Sequence, residues 1–281
     1  MYYLLILLST FLFAVQFIVN DGYQKESGSN LTSSLKFSLY SSAAGFAALM
    51  IINRFELRCS AFSLAVAAVY ALVCVSLNYF TVKALRIGHP SSYSVFSMIG
   101  GMVLPFLYGL LCGEEFKAIR IVCCALIAVS VVLHTGKGES TKAAFRYYMA
   151  VFVLNGMVGV ISKFHQSHPL LCVASADFLM LSKLFTVGFS AVLLGISGKR
   201  GFSIGRKAFG LAAGSAVLNS VANLLLLLAL LKLPASVQYP LVTGGVILFS
   251  TLFDVIRKAG VKKKEMAAAL TAFAAAALMA L

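Results

Sequence analysis

Ten long apolar runs divide the chain, and they constrain its fold more than any other feature. They cover about residues 2–20, 32–52, 63–85, 91–112, 118–135, 147–164, 170–196, 207–231, 234–255 and 265–281. A helix needs roughly 20 apolar residues to cross a bilayer, and only helices and closed barrels satisfy their backbone polar groups there. The runs lack the strict alternation of strands. Each is therefore predicted to be a transmembrane helix in an all-α integral membrane protein.

The composition supports this class. Hydrophobic residues make up 60% of the 281 residues and charged residues 11%, whereas a soluble domain carries about 25% charged residues. The net charge is +14, but the basic residues sit at the ends of the runs, so we expect contact with lipid headgroups and not with nucleic acid. The six cysteines show no ligand spacing. We therefore expect no disulfide framework, no metal site and no cofactor.

The chain also contains an internal repeat, in which residues 77–101 resemble residues 222–245. The matched positions are Asn78 with Asn223, Ala84-Leu85 with Ala229-Leu230, Pro90 with Pro234, Ser92 with Ser236, and Gly100-Gly101 with Gly244-Gly245. Each half holds five apolar runs, and because five is odd, the second copy must enter the membrane from the opposite side. We predict a first five-helix repeat at 1–135, a linker at 136–146 and a second, inverted repeat at 147–281.

The motifs of this repeat resemble those of the drug/metabolite transporter superfamily, specifically its ten-helix EamA-type branch. The resemblance rests on the five-plus-five duplication, on ALRIGHPSS and ALLKLPAS before the fourth helix of each half, and on Gly113-Glu114 after the first of these helices. It implies two inverted repeats around a central cavity, alternating access and small organic substrates such as amino acids, sugars or other metabolites. The chain departs from the family in lacking Trp and in having Ala259-Gly260-Val261 where a second Gly-Glu would stand.

The side of the membrane on which the termini lie has two conflicting indications. The loops after the first, third, fifth, seventh and ninth runs carry fourteen Lys and Arg residues, against six on the other side. The positive-inside rule makes the heavier set cytoplasmic and places both termini outside, whereas the family resemblance implies cytoplasmic termini. In either case we expect a multi-pass protein of the plasma membrane. The alanine-rich tenth run fits internal packing or a dimer face, which leaves monomer and homodimer both open.

Polar residues within the apolar runs are the candidates for a solute-binding cavity, because a polar group is costly in the membrane unless it is satisfied. Ser215, Asn219 and Asn223 have i, i+4, i+8 spacing and share one helical face, and Asn223 has Asn78 as its counterpart in the repeat. The candidates are Gln16, Asn78, Ser97, Asn155, Asn219, Asn223 and Gln238. Their alternative role is hydrogen bonding between helices.

Charges within the runs are few, and two of them correspond in the repeat. Lys36 and Asp177 align when Phe37 is set against Phe178. Because a buried charge must pair or face water, we predict an ion pair between Lys36 and Asp177. For Asp177, snorkelling toward the membrane interface is the alternative. Lys183 also lies within a run, six residues after Asp177, a spacing that does not place the two on one face.

These features favour a secondary transporter that moves a small organic metabolite or drug-like solute by alternating access, in the direction of efflux. The alternative on the same fold is a flippase for a lipid-linked substrate. A membrane-embedded enzyme is a weaker alternative, because the four His and nine acidic residues form no cluster at catalytic spacing. A primary pump is excluded by the lack of a phosphate-binding Gly-Lys-Ser/Thr loop.

Overall fold

The computed structural model describes residues 2–28, 30–87, 90–115, 117–135, 142–197, 202–257 and 263–278, and within these ranges the chain is all-helical. The helices are α1 Tyr2–Ser27, α2 Leu31–Ile52, α3 Ala61–Ile87, α4 Pro90–Leu111, α5 Ala118–Thr135, α6 Lys142–Gln166, α7 Ser175–Ile196, α8 Arg206–Leu230, α9 Ala235–Ile256 and α10 Lys263–Leu278. The all-α class is thereby confirmed for the described residues, and each apolar run corresponds to one helix. Of the predicted linker 136–146, residues 142–146 belong to α6, and the others lie outside the described ranges.

Seven of these helices are long and apolar enough to cross a membrane: α1, α2, α3, α6, α7, α8 and α9. Shorter apolar stretches lie in the other three, at Val95–Leu111, Ala118–Val132 and Met266–Leu278. The side chains of many long apolar residues on these helices are exposed, as at Leu4, Val69 and Val192. An outward-facing apolar surface of this kind suits lipid and not water, so the chain is a multi-pass membrane protein.

The helices pack in a definite set of pairs. α1 lies against α8 and α9, while α6 lies against α3 and α4. α2 packs on α7, and α5 packs on α10. The largest apolar core joins α2, α3, α6, α7, α8 and α9 and includes Leu49, Phe178 and Tyr239. A second core joins α4, α5, α9 and α10.

Glycines allow α4 and α6 to approach closely. A Cβ atom added to Gly156 on α6 would lie 2.6 Å from the carbonyl oxygen of Gly100 on α4. A Cβ at Gly101 would lie 2.7 Å from Asn155 Nδ2. No side chain larger than hydrogen fits at these contacts unless the helices separate. The crossing therefore brings Asn155 directly against α4.

The alanine-rich face of α10 packs inside the chain. Ala269, Ala272, Ala275 and Ala276 are buried in the second core. A Cβ at Gly244 on α9 would lie 2.8 Å from the Ala272 carbonyl oxygen. Of the two explanations for this face, internal packing is the one observed.

Candidate functional site

A cavity of about 490 Å³ lies among the middle parts of eight helices. Every helix except α5 and α10 contributes to its described lining. Its volume falls in the range of about 300–1,000 Å³ that is usual for small-molecule sites. Phe13, Phe17, Phe37 and Tyr93 form aromatic parts of the wall, and amide and hydroxyl side chains form the polar parts. The cavity can therefore surround a solute that has both apolar and hydrogen-bonding groups.

Six of the seven candidate residues line this cavity. They are Gln16, Asn78, Ser97, Asn155, Asn219 and Asn223. Ser215 lies there too, so the whole polar stripe of α8 faces the cavity. The residues come from α1, α3, α4, α6 and α8, which are distant in sequence and are brought together by the fold.

The prediction for Gln238 is wrong. Its side chain is fully buried and lies outside the cavity, and its Nε2 donates to the Leu226 carbonyl oxygen at 2.9 Å. The Gln238 Oε1 atom has no hydrogen-bond partner among the described residues. Rotation of α9 about its axis turns this position toward α8, so that Gln238 joins two helices and does not reach the solute space.

A network centred on Asn219 joins three helices around the cavity. Asn219 Nδ2 donates to Gln16 Oε1 of α1 at 3.2 Å. Asn219 Oδ1 accepts from Lys183 Nζ of α7 at 3.0 Å. One turn earlier on α8, Ser215 Oγ donates to Asn20 Oδ1 at 2.6 Å. These residues therefore form interhelical hydrogen bonds and also line the cavity, so the two predicted roles are not exclusive.

The other candidate amides use their nitrogens as donors to neighbouring protein groups. Asn155 Nδ2 donates to the Ser97 carbonyl oxygen at 2.7 Å, and Asn223 Nδ2 donates to the Asn219 carbonyl oxygen at 2.9 Å. A backbone carbonyl can only accept, so the amide nitrogen must face it and the Oδ1 atom is left for another donor. Asn78 Nδ2 donates to Ser38 Oγ at 2.6 Å.

The predicted ion pair between Lys36 and Asp177 is also wrong. Lys36 Nζ donates to the Ser203 carbonyl oxygen at 2.9 Å. Asp177 Oδ1 instead accepts from Asn53 Nδ2 at 3.0 Å and from the Arg58 backbone N–H at 3.3 Å. Lys36 and Asn53 are 17 residues apart along α2, which corresponds to about 25 Å. Lys36 lies near the start of α2, and Asp177 lies near the start of α7. Because α2 and α7 pack antiparallel, the two charges lie at opposite ends of this helix pair.

Lys183 is a charged cavity residue that the candidate set misses. It is the only charged side chain among the described residues that line the cavity. Its aliphatic stem passes Gly45 of α2, where an added Cβ would lie 3.4 Å from Lys183 Cε. The sequence contains one signal for this face of α7, which is the recurrence of hydroxyl residues every four positions at Ser182, Thr186 and Ser190. All three are buried in the structure.

A second polar cluster lies at one end of the bundle, around Glu114 in the loop after α4. Its carboxylate accepts from the backbone N–H groups of Ala235 at 2.7 Å and Ser236 at 2.9 Å, and it pairs with Lys163 Nζ at 2.9 Å. Burial raises the pKa of Glu114, but the hydrogen bonds from Ser236, Lys163 and Ala235 outweigh it, so that the pKa is lowered. This carboxylate caps α9 and ties it to the end of α6.

The local backbone explains why Gly113-Glu114 can reach this position. Gly113 has a φ of +85°, in the left-handed region that favours glycine. A Cβ at Gly109 would lie 2.5 Å from Glu114 Oε2, so a glycine there leaves space for the carboxylate across α4. The sequence marks the Gly-Glu pair as a motif but does not indicate its partners.

No family model and no curated protein matches this chain. Among solved structures, 29 chains are similar to it. One of them, a crystal structure of a protein, has a TM-score of 0.76 and 14% sequence identity, with 99% of this chain and 96% of that chain covered. At this identity the similarity concerns the fold alone, and it extends over nearly the whole length of both chains.

Proposed function

We propose that this chain is a secondary transporter that moves a small organic solute across the plasma membrane by alternating access, in the direction of efflux. The observation that carries the proposal is the central cavity of about 490 Å³, lined by amides and hydroxyls from eight helices. Polar groups at this depth are costly unless they are partnered or face water. Their convergence on one cavity of small-molecule size fits a binding site for a solute.

The proposal includes two inverted five-helix repeats, at 1–135 and 147–281, with ten membrane crossings. The packing pairs support it. When each helix is exchanged for the one five positions away in the chain, the α1–α8 pair becomes α6–α3 and the α1–α9 pair becomes α6–α4. The α2–α7 and α5–α10 pairs convert into themselves. This pattern is the one expected of two halves related by a two-fold axis with a cavity between them, and it supports the proposed repeats.

Membership of the drug/metabolite transporter superfamily, in its EamA-type branch, belongs to the same proposal and rests on the sequence motifs. The contacts of Gly113-Glu114 add support, because Glu114 of the first half holds α6 and α9 of the second. A motif with this role at the boundary between the halves suits a protein in which the halves move relative to one another.

Reconstitution in proteoliposomes tests the function. We expect uptake or efflux of at least one member of a panel of small metabolites. The Asn223→Ala variant should transport that metabolite about three- to tenfold less, which corresponds to the loss of one hydrogen bond. Gln24→Ala is the matched control, because Gln24 is an exposed amide at the end of α1, away from the cavity.

Two outcomes would contradict the proposal. Full transport by Asn223→Ala would remove this cavity as the solute site. Movement of a fluorescent lipid between leaflets, without transport of any soluble compound, would favour the flippase alternative.

A further inference from the structure

We propose that Lys183 binds the carboxylate of the transported solute, so that the cavity selects small organic carboxylates. The inference rests on the proposed transport function and specifies its substrate class. It starts from charge: the described lining contains one ammonium group and no Asp or Glu. The cavity wall therefore carries a single positive charge.

The groups around Lys183 leave this charge without a counter-ion. α7 packs against α2, α3 and α8. The groups that they present to Lys183 include Asn219 of α8, Cys74 of α3 and Gly45 of α2. Among the described residues, Nζ has one hydrogen-bond partner, Asn219 Oδ1. An ammonium group has three donors, which leaves capacity for an anion.

Two buried carboxylates, one on the same helix and one at the end of the bundle, are already engaged elsewhere. Asp177 precedes Lys183 by six residues on α7, which is about 9 Å along the axis and about 240° around it. Its carboxylate is held by Asn53 and by the backbone of Arg58. Glu114 is held by Lys163 and the start of α9. Neither carboxylate neutralises the ammonium group.

An unpaired charge in a low-dielectric environment is strongly unfavourable unless it faces water or gains a partner. The amide oxygen of Asn219 reduces this cost but carries no charge. A solute carboxylate that enters the cavity supplies the missing counter-charge and releases its own bound water. Since the described lining holds only one basic side chain, a monocarboxylate matches the cavity better than a polyanion does.

Two further amides of the lining indicate what else the solute carries. The Oδ1 atoms of Asn155 and Asn223 face away from their backbone partners and can each accept a hydrogen bond. Beside Lys183, the Ser182 and Thr186 hydroxyls donate to carbonyl oxygens of their own helix and are not available as donors. A carboxylate with a hydroxyl or ammonium group near it, and an apolar body against the aromatic wall, satisfies all of these groups.

Calorimetric measurement of ligand binding to the purified full-length protein in detergent tests the inference. The probes are 3-phenyllactate, phenylalanine, 3-phenylpropanoate, the methyl ester of 3-phenyllactate and 2-phenylethylamine. We expect the first two to bind, the third to bind more weakly, and the ester and the amine to bind at least tenfold more weakly than 3-phenyllactate. A hydroxy acid that binds better than phenylalanine identifies a hydroxyl as the second group, and the reverse identifies an ammonium.

The variants are Lys183→Met, which keeps the length of the stem, Lys183→Arg, which keeps the charge, and the control Lys83→Met. Lys83 also lies within a membrane-spanning helix, but its ammonium sits 5.6 Å from the Tyr79 ring centroid and outside the cavity lining. We expect Lys183→Met to weaken carboxylate binding at least tenfold and Lys183→Arg to restore part of it. Lys83→Met should bind as the unmodified protein does.

The melting temperature separates a binding role from a structural one. Lys183→Met removes an uncompensated charge, so its melting temperature without ligand should be unchanged or higher. A large decrease, or carboxylate binding equal to that of the unmodified protein, would overturn the inference. Transport of neutral solutes only, sensitive to Asn223→Ala but not to Lys183→Met, would also overturn it and leave the transport function standing. Failure to transport any solute would reject the transport function itself.

Discussion

Glu114 illustrates how much one residue contributes to this fold. Its carboxylate binds two backbone N–H groups at the start of α9 and the ammonium of Lys163 at the end of α6. The side chains of the pair are only 10% and 17% exposed, so water replaces these contacts poorly. A hydrogen bond to a charged group contributes about 1.5–3 kcal/mol when its partner is buried.

We therefore expect Glu114→Gln to lower the free energy of unfolding by about 1.5–3 kcal/mol at neutral pH. Because the pKa of Glu114 is lowered in the folded protein, the ionised carboxylate stabilises the fold fully above its ordinary pKa. This stabilisation is lost as the pH falls through the lowered value. Melting temperatures measured from pH 7 down to pH 3.5 should show the difference between the two proteins shrinking in acid.

Glu26→Gln is the control for Glu114→Gln. Glu26 pairs with Lys207 at 2.7 Å, but the side chains are 37% and 76% exposed. Exposed pairs contribute about 0–1 kcal/mol, so this variant should change the melting temperature little. A Glu114→Gln protein as stable as Glu26→Gln at every pH would contradict the role assigned to the capping carboxylate.

The sequence predicts some cavity residues well and others poorly, for physical reasons. Asn78 and Asn223 are found because the repeat matches them, and Asn219 follows from its spacing to Asn223. Gln238 is placed wrongly because the rotation of α9 depends on its packing with α1, α4 and α10. A lone lysine such as Lys183 is missed because in sequence it resembles a residue that snorkels to the interface.

At the scale of the helix, contacts between backbones determine what each position tolerates. A Cβ added to Gly244 on α9 would lie 2.8 Å from the Ala272 carbonyl oxygen and 2.9 Å from Ala276 Cβ on α10. Neither atom belongs to a flexible side chain, so the helices themselves would have to shift. The existence of both helices follows from the apolar runs, but their close approach is apparent only in three dimensions.

We expect Gly244→Ala to reduce stability by about 1–3 kcal/mol, as overpacking does. Gly188→Ala is the matched control, since Gly188 is also within a helix and a Cβ there would meet nothing within 4 Å. That change should be neutral, or stabilising by up to about 1 kcal/mol, because it removes the entropy of a helical glycine. Equal thermal stability of the two variants would show that α9 and α10 do not pack this closely.

At the scale of the whole molecule, the number of crossings determines where the ends lie. Ten crossings return the chain to the side from which it started, whereas seven crossings would leave the termini on opposite sides. The helix pairs α5–α10 and α9–α10 are extensive, and α4, α5 and α10 contain apolar stretches that are shorter than those of the other seven. The number of crossings therefore depends on whether α4, α5 and α10 span the membrane.

We expect both termini on the same side of the membrane. Protease-cleavable tags at each end, probed in sealed vesicles of known orientation, measure this directly, with a tag on a cytoplasmic protein as control. Tags on opposite sides would contradict ten crossings.

The same result orients the cavity, because an alternating path puts the loop after α4, the end of α6 and the start of α9 on the side of the termini. If the tags lie outside, as the distribution of Lys and Arg predicts, the Glu114–Lys163 pair lies at the outer end of the helix bundle. If they lie in the cytoplasm, as the family resemblance implies, the pair lies at the inner end.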